Sequence, residues 1–427
     1  MSAQAAIRTA SGPAETFGGA NYDVERIRAD FPILFREVHG KPLVYLDNGA
    51  SAQKPRPVLE AMDHAYRFEY ANVHRGLHHL SNAATDAYEG ARETVRRFLN
   101  AGSTAEIIFT RNATSAINLV ANAVGQNDIK EGDEIILSIM EHHANIVPWH
   151  FLRERKGAVI KWLPINDRGE LLVEHLDALI TKKTRMIAVT HMSNVLGTIN
   201  PVKEIIRKAH GKGVPVLVDG SQAAVHFGVD VRDLDADFYV FTGHKTYGPT
   251  GIGVLYGKKH HLDTLPPYEG GGDMIESVAV DRITYNVPPH KFEAGTPPIV
   301  EAIGLGAALN YMMQTGRDKI ARYEAGIATY AAERLAALPW LKLYGTAPGK
   351  GAIFSFTVDG LHPHDIATIV DRSGVALRAG HHCAQPLMQR LGVTATCRAS
   401  FAMYSTAGEV DALAAALTKA HDLFAQD

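Results

Sequence analysis

Cysteine is nearly absent from this chain, with 2 in 427 residues. Two thiols cannot build a disulfide framework. Such scarcity fits a reducing compartment, so the cytoplasm is the expected location. Long apolar runs are missing as well. Nothing approaches the roughly 18 consecutive apolar residues of a membrane span, and the opening MSAQAAIRTASGPAETFGGANY lacks the apolar stretch of a secretory signal. Neither sign of charge dominates: 43 Lys and Arg against 46 Asp and Glu leave a formal net charge of −3. That balance gives no footprint for nucleic acid and no acidic tail. Repeats and low-complexity blocks are not seen either.

What is present is ordinary globular composition, 46% hydrophobic and 21% charged. The length exceeds one ordinary core, so two domains are expected. Residues 1–20 read as a mobile tail. NYDVERIRADFPIL reads as a short helix stopped by Pro32, and ATDAYEGARETVRRFLN as an amphipathic helix. From there strands alternate with helices: EIIFT, EIILSI, RMIAVTHM, VPVLVDG, DFYVFTGHK and GIGVLYG are the strands. VPVLVDG is almost continuously apolar, as a buried parallel strand requires. NPVKEIIRKAHGKG reads as a helix with Asn200 as its cap, Pro201 at its first position and Gly211 or Gly213 at its end. The pattern predicts an α/β domain over 36–298 with a mainly parallel sheet. Residues 21–35 and 299–427 would form a smaller α+β domain.

Ligands of such sheets bind beyond the carboxyl ends of the strands. Asp219, Thr242 and His244 fall there. Lys245 follows a strand in FTGHKTYGPTGIGVLYGK, and a desolvated lysine amine can condense with an aldehyde cofactor. Asp219, in VDGSQ, precedes it by 26 positions. A carboxylate against a pyridine nitrogen and a lysine at an aldehyde carbon are what pyridoxal 5'-phosphate requires. Gln222 is placed to donate to the ring's phenolic oxygen. His142, in EHHANIVPWH, can stack on the ring and move protons. Thr114 sits at a strand-to-helix turn, where helix amides attract phosphate. The duller reading of each, a surface lysine, a helix-capping aspartate or a solvated histidine, weakens when all occur in one chain.

Cys383 occupies an unusual setting, ALRAGHHCAQP. Gly380 permits a sharp turn, and cations near a thiol favour its reactive thiolate. A zinc group of His381, His382, Cys383 and Cys397 is conceivable but lacks paired C-x-x-C spacing. No metal is expected, and Cys397 reads as a packing residue.

Together FTGHKTYGPTGIGVLYGK, VDGSQA, HMSNVLGT, NVHRGLHHLS, KFEAGTP, RAGHHCAQPLM and CRASFAMYST resemble the group II, Suf-type cysteine desulfurases and their relatives the selenocysteine lyases. The likeness runs from about residue 24 to the C-terminus. It implies the fold of the fold-type I pyridoxal phosphate transferases and a homodimer. It also implies that Lys245 carries the cofactor and removes the Cα proton of L-cysteine. Asp219 and Gln222 would hold the ring and His142 would stack on it. Thr114, Thr242 and His244 would hold the phosphate, with Thr296 from the second subunit. Asn194 and Arg398 would bind the substrate carboxylate. His74 and Arg75 would lie beside the cysteine loop, and Arg378 would help position that loop. Cys383 would accept sulfur as a persulfide, alanine would leave, and a Suf-type acceptor protein would take the sulfur toward iron–sulfur cluster assembly. Ala113, Thr242 and Pro298 depart from the family's usual residues. L-selenocysteine as substrate, a pyridoxal phosphate aminotransferase or kynureninase-like hydrolase, and a non-catalytic sulfur-carrying scaffold are the alternatives.

Overall fold

Strands whose residues are buried on both faces need cover from both sides, and this chain supplies it with helices between them. The computed structural model describes Phe17 and residues 22–424. The segment 1–20 expected as a tail lies outside the described residues, apart from Phe17.

Seven strands form the central sheet: β1 (Ile107–Thr110), β2 (Glu134–Ser138), β3 (Val159–Leu163), β4 (Thr184–Thr190), β5 (Val216–Asp219), β6 (Phe238–Thr242) and β7 (Gly253–Gly257). Their order is β1-β7-β6-β5-β4-β2-β3. Six run in one direction. Only β7 is reversed, antiparallel to both β1 and β6. Parallel neighbours need a crossover of a dozen or more residues, and only residues 243–252 separate β6 from β7. The short Gly-rich link from β6 to β7 therefore reverses the chain. β5 and β6 are buried at every position, as their apolar sequences predict.

Helix α1 (His79–Leu99) buries Ala84, Tyr88, Ala91, Val95 and Phe98. That spacing of three and four places them on one face. It ends where Asn100 turns left-handed at φ 54°. Helix α2 (Ala113–Asn127) covers the sheet beside β7. Helix α3 (Ile299–Thr315) packs against α1. Gly306 allows this approach: a Cβ there would stand 3.0 Å from that of Ala91. Gly316, at φ 95°, separates α3 from α4 (Arg317–Ala336), matching the two long helices expected after residue 299.

The C-terminal strands β8 (Leu341–Tyr344), β9 (Ile353–Val358), β10 (Arg378–Gly380) and β11 (Thr396–Ser400) form an antiparallel sheet in the order β8-β9-β11-β10. The N-terminal segment is sewn onto this part of the molecule. Val44 and Tyr45 pair in parallel with Val375 and Ala376, and Asp47 bridges to Ser400. Asn48 Nδ2 donates to the Ser400 carbonyl at 2.7 Å. The chain thus passes from the small sheet directly to the edge of the large one.

The expected cap of the helix after β4 is different. That helix spans Val202–His210, so Pro201 stands at the cap and not at the first position, and Asn200 does not cap it. Its amide instead donates to the Thr190 carbonyl at 2.8 Å, tying the loop back to the end of β4. Gly211 terminates the helix, and Gly213 follows in left-handed conformation at φ 70°. No described helix is long and apolar enough to cross a membrane.

Candidate active site

Parallel strands all end at one edge, so residues that follow them in sequence converge in space. Here the ends of β2, β4, β5 and β6 open onto a cavity of about 260 Å³. The C-terminal sheet closes its other side. Eleven residues expected at the site line this cavity: Thr114, His142, Asn194, Asp219, Gln222, Thr242, His244, Lys245, Arg378, Cys383 and Arg398.

Lys245 opens onto the cavity from otherwise buried surroundings. Burial pulls its amine down to about 8, against the opposing pull of the Asp219 carboxylate. An ammonium group surrounded by protein loses hydration, so the neutral, nucleophilic form gains population. Asp219 closes β5 and is 5% exposed. Ser221 donates both its N–H, at 3.0 Å, and its hydroxyl, at 2.6 Å, to Oδ1, leaving Oδ2 for a ligand. Gln222 Nε2 donates to the Gly49 carbonyl at 2.8 Å.

His142 heads the turn after β2, and its Nδ1 accepts the Ala144 N–H at 3.1 Å. The ring proton therefore resides on Nε2. Burial, with Lys245 nearby, lowers the imidazole to about 3, so the ring is neutral over the working range. His244 is likewise lowered by burial, to about 4. Its carbonyl accepts the Ala52 N–H at 3.0 Å, which fixes the backbone just before Lys245.

Two atoms reveal what the cavity is built to hold. Thr242 Oγ1 is buried without a hydrogen-bond partner. It lies near the start of α2, where Asn112 caps the Ser115 N–H at 2.9 Å. An unpaired buried hydroxyl is costly, and a phosphate group at a helix N-terminus satisfies both it and the free amides. Arg398 Nε is also buried and unpartnered. Its Nη1 donates to the Asn194 carbonyl at 3.0 Å. Burial pulls this guanidinium down to about 10, while Asp47 partly restores it. A buried cation with a spare N–H suits a carboxylate. The residues present thus fit pyridoxal 5'-phosphate and an amino-acid substrate.

Cys383 sits at the cavity wall in a tightly curled loop. Gly380 has φ 135°, and His382 and Cys383 are both left-handed, at 51° and 54°. Non-glycine residues rarely adopt this conformation, and two in succession store strain. Several contacts hold the loop. The His143 N–H donates to the Cys383 carbonyl at 2.6 Å, and His143 Nε2 accepts from Gln385 N at 3.2 Å. Asn194 Nδ2 donates to the His382 carbonyl at 2.8 Å, and His382 Nε2 lies 2.9 Å from Thr396 Oγ1. The conceivable zinc group is not assembled. Cys397 is buried in the small-domain core with Sγ against the Pro363 carbonyl at 3.2 Å, and burial pushes its thiol up to about 12.

Three expected residues lie outside this cavity. His74, left-handed at φ 70°, bonds Glu89 at 2.9 Å. Arg75 pairs with Asp273 at 2.7 Å. Thr296 lines a separate hollow with Arg111 and Glu269. Other contributors escaped the sequence reading. Asp47 binds Arg378 and faces Arg398. Glu141 is fully buried and accepts from Asn145 at 2.7 Å and from Thr190 N at 2.8 Å. Burial raises this carboxyl to about 8. Its position next to His142 was the available signal.

Residues 44–413 match the aminotransferase class-V family. A probable cysteine desulfurase of Halalkalibacterium halodurans is 51% identical over 94% of this chain and 99% of its own. A cysteine desulfurase of Pectobacterium atrosepticum is 52% identical over the same shares. Among solved structures, the Escherichia coli cysteine desulfurase CsdA in its S-sulfonic acid form aligns with a TM-score of 0.87. It is 42% identical and covers 94% of this chain and 99% of that one. A C-DES variant with glycine covalently linked to its pyridoxal phosphate aligns at 0.78 with 25% identity, covering 91% and 98%. With its lysine and aspartate at neighbouring strand ends and a cysteine loop across the same cavity, the chain belongs to the aminotransferase class-V family, as a cysteine desulfurase.

Proposed function

We propose that this enzyme converts L-cysteine to L-alanine, holds the sulfur as a persulfide on Cys383, and delivers it to a Suf-type acceptor for iron–sulfur cluster assembly in the cytoplasm. The observation that carries the reading is that Lys245 and Cys383 line one cavity. Bound pyridoxal phosphate supplies an electron sink that acidifies the substrate Cα–H and weakens its Cβ–S bond. Lys245, Asp219, Gln222 and His142 hold the ring. Thr114, Thr242 and His244 hold the phosphate. Arg398 and Asn194 take the substrate carboxylate and orient the thiol toward Cys383.

Lys245 Nζ, neutral in a fraction set by its burial, accepts the Cα proton. His142 Nδ1 is occupied by the Ala144 amide, so proton exchange with the substrate thiol passes through Nε2. Cys383 Sγ attacks the substrate sulfur. An S–S bond forms, the Cβ–S bond breaks, and a proton at Cβ completes alanine. The strained loop presents the sulfur to the cavity and keeps an outer face for the acceptor.

A homodimer accounts for the residues outside the cavity. His74, Arg75 and Thr296 reach a second copy's site, and exposed apolar side chains such as Leu77, Phe68 and Val280 become covered. Exposed apolar surface of this kind favours association.

The test is Cys383→Ala in the holoenzyme. Alanine formation and protein-bound persulfide should both vanish while the bound cofactor keeps its visible absorbance. Alanine produced at the unaltered rate overturns the reading. A variant that still acts on L-selenocysteine points to lyase chemistry.

A further inference from the structure

The desulfurase reading leaves two histidines beside the sulfur without a chemical role. His143, His381 and Cys383 each offer one ligand atom, and the three atoms lie within 4.8 Å of one another. They arrive from separate parts of the chain: His143 from the turn after β2, the other two from the curled loop. The rings of His143 and His381 are 5.5 Å apart, centroid to centroid. His381 is exposed and the other two are partly buried, so an ion has a path from solvent.

We propose that these three side chains form a zinc-binding site that caps the sulfur acceptor. One thiolate and two imidazoles are ligands that Zn²⁺ accepts, and three protein ligands leave a fourth, open position for water. Binding is not redox. The Cys383 thiol releases its proton to solvent as the Zn–S bond forms, and affinity rises with pH accordingly.

The histidines are poised rather than free. His381 Nδ1 accepts the Cys383 N–H at 3.1 Å, and His143 Nε2 accepts Gln385 N at 3.2 Å. A neutral imidazole has one lone pair on its deprotonated nitrogen. An arriving ion either takes that nitrogen or forces the other tautomer, and each route breaks one of these long bonds. Tetrahedral zinc holds such atoms roughly 3.3–3.7 Å apart, so from separations of up to 4.8 Å they must draw together by as much as about 1.5 Å, which loop residues allow more readily than strand residues. Arg378, Arg398 and Lys245 are the cations near Cys383 that would repel an ion, and Asp47 offsets the two arginines at 2.6 and 3.5 Å.

The consequence rests on the proposed persulfide route, whereas the binding does not. A sulfur bonded to zinc cannot attack the substrate, so occupancy holds the enzyme in an off-state that a chelator reverses.

The experiment uses holoenzyme free of substrate and reduced with a phosphine. Zn²⁺ is titrated against a chromophoric chelator, and the zinc X-ray absorption spectrum is recorded. One sulfur and two ring nitrogens in the first shell are expected. His381→Gln should weaken binding at least about tenfold, and Cys383→Ser should remove the sulfur scatterer. Asp237, His260 and His261 make a second candidate group at the opposite end of the sheet. It contains no sulfur, and His260→Gln serves as its control. A spectrum without sulfur, or unchanged affinity in His381→Gln, overturns the proposal. Sulfur-ligated zinc in a protein that proves unable to desulfurate cysteine would retain the site and refute only the off-state.

Discussion

Arg378 grips Asp47 with Nη2 2.6 Å from Oδ2 and Nε 3.1 Å from each carboxylate oxygen. The pair joins the N-terminal segment that floors the cavity to the strand that leads into the cysteine loop. The same carboxylate lies 3.5 Å from buried Arg398, so one acid serves two arginines.

Asp47→Asn should therefore destabilise the protein. Arg378 is half exposed, which limits its share, but Arg398 would be left buried without its counter-charge. A loss of about 1–2 kcal/mol is expected, read as a lower urea midpoint with an unchanged slope. An unchanged midpoint would show that solvent replaces Asp47 at no cost.

Thr242→Val separates two roles of one hydroxyl. In the protein without cofactor, Oγ1 has no partner, so its removal should leave thermal stability equal or slightly raised. Cofactor affinity should fall about 10- to 100-fold, the value of one hydrogen bond to a charged group. Equilibrium dialysis against pyridoxal phosphate measures it. Equal loss in both readouts would mean the hydroxyl is only packing.

Arg398→Lys keeps the charge and removes the planar fork. Lysine cannot reproduce a guanidinium's paired donors. The KM for cysteine should rise at least about tenfold with a smaller change in kcat. A kcat loss at constant KM would argue against carboxylate binding.

Lys245 predicts a pH dependence in the protein stripped of cofactor. Its amine titrates near 8 when folded, below its ordinary value of 10.5. Between those values the unfolded chain binds more protons, so stability rises with pH. Its contribution is largest above the unfolded value and is lost as pH falls toward 8. Lys245→Met should flatten that rise, by at most about 3 kcal/mol. Parallel denaturation curves for both proteins across this window check the slope.

Local pattern made much of this molecule readable. Buried strands announced themselves by continuous apolar residues, and Asp219, Thr242 and Lys245 followed from their places at strand ends. Contacts made across long stretches of chain were not readable. Asp47 meets Arg378 across 331 positions, and no spacing rule links them. Asn200 shows the converse. A short polar side chain before Pro201 reads as a cap, yet the Thr190 carbonyl competes successfully for its amide. His143 was passed over because one histidine of an adjacent pair already had a role, and only the folded loop brings its ring beside His381.

The small sheet holds residues 44–47 against 375–376 and 400, with a consequence for biosynthesis. A ribosome making this polypeptide completes the strand ends that carry Asp219, Thr242 and Lys245 by mid-chain, but the wall that carries Arg378, Cys383 and Arg398 follows only near the end. The side of the pocket that takes the substrate carboxylate and presents the acceptor sulfur is thus complete only when translation is essentially finished. Products truncated before this segment should be unable to transfer sulfur.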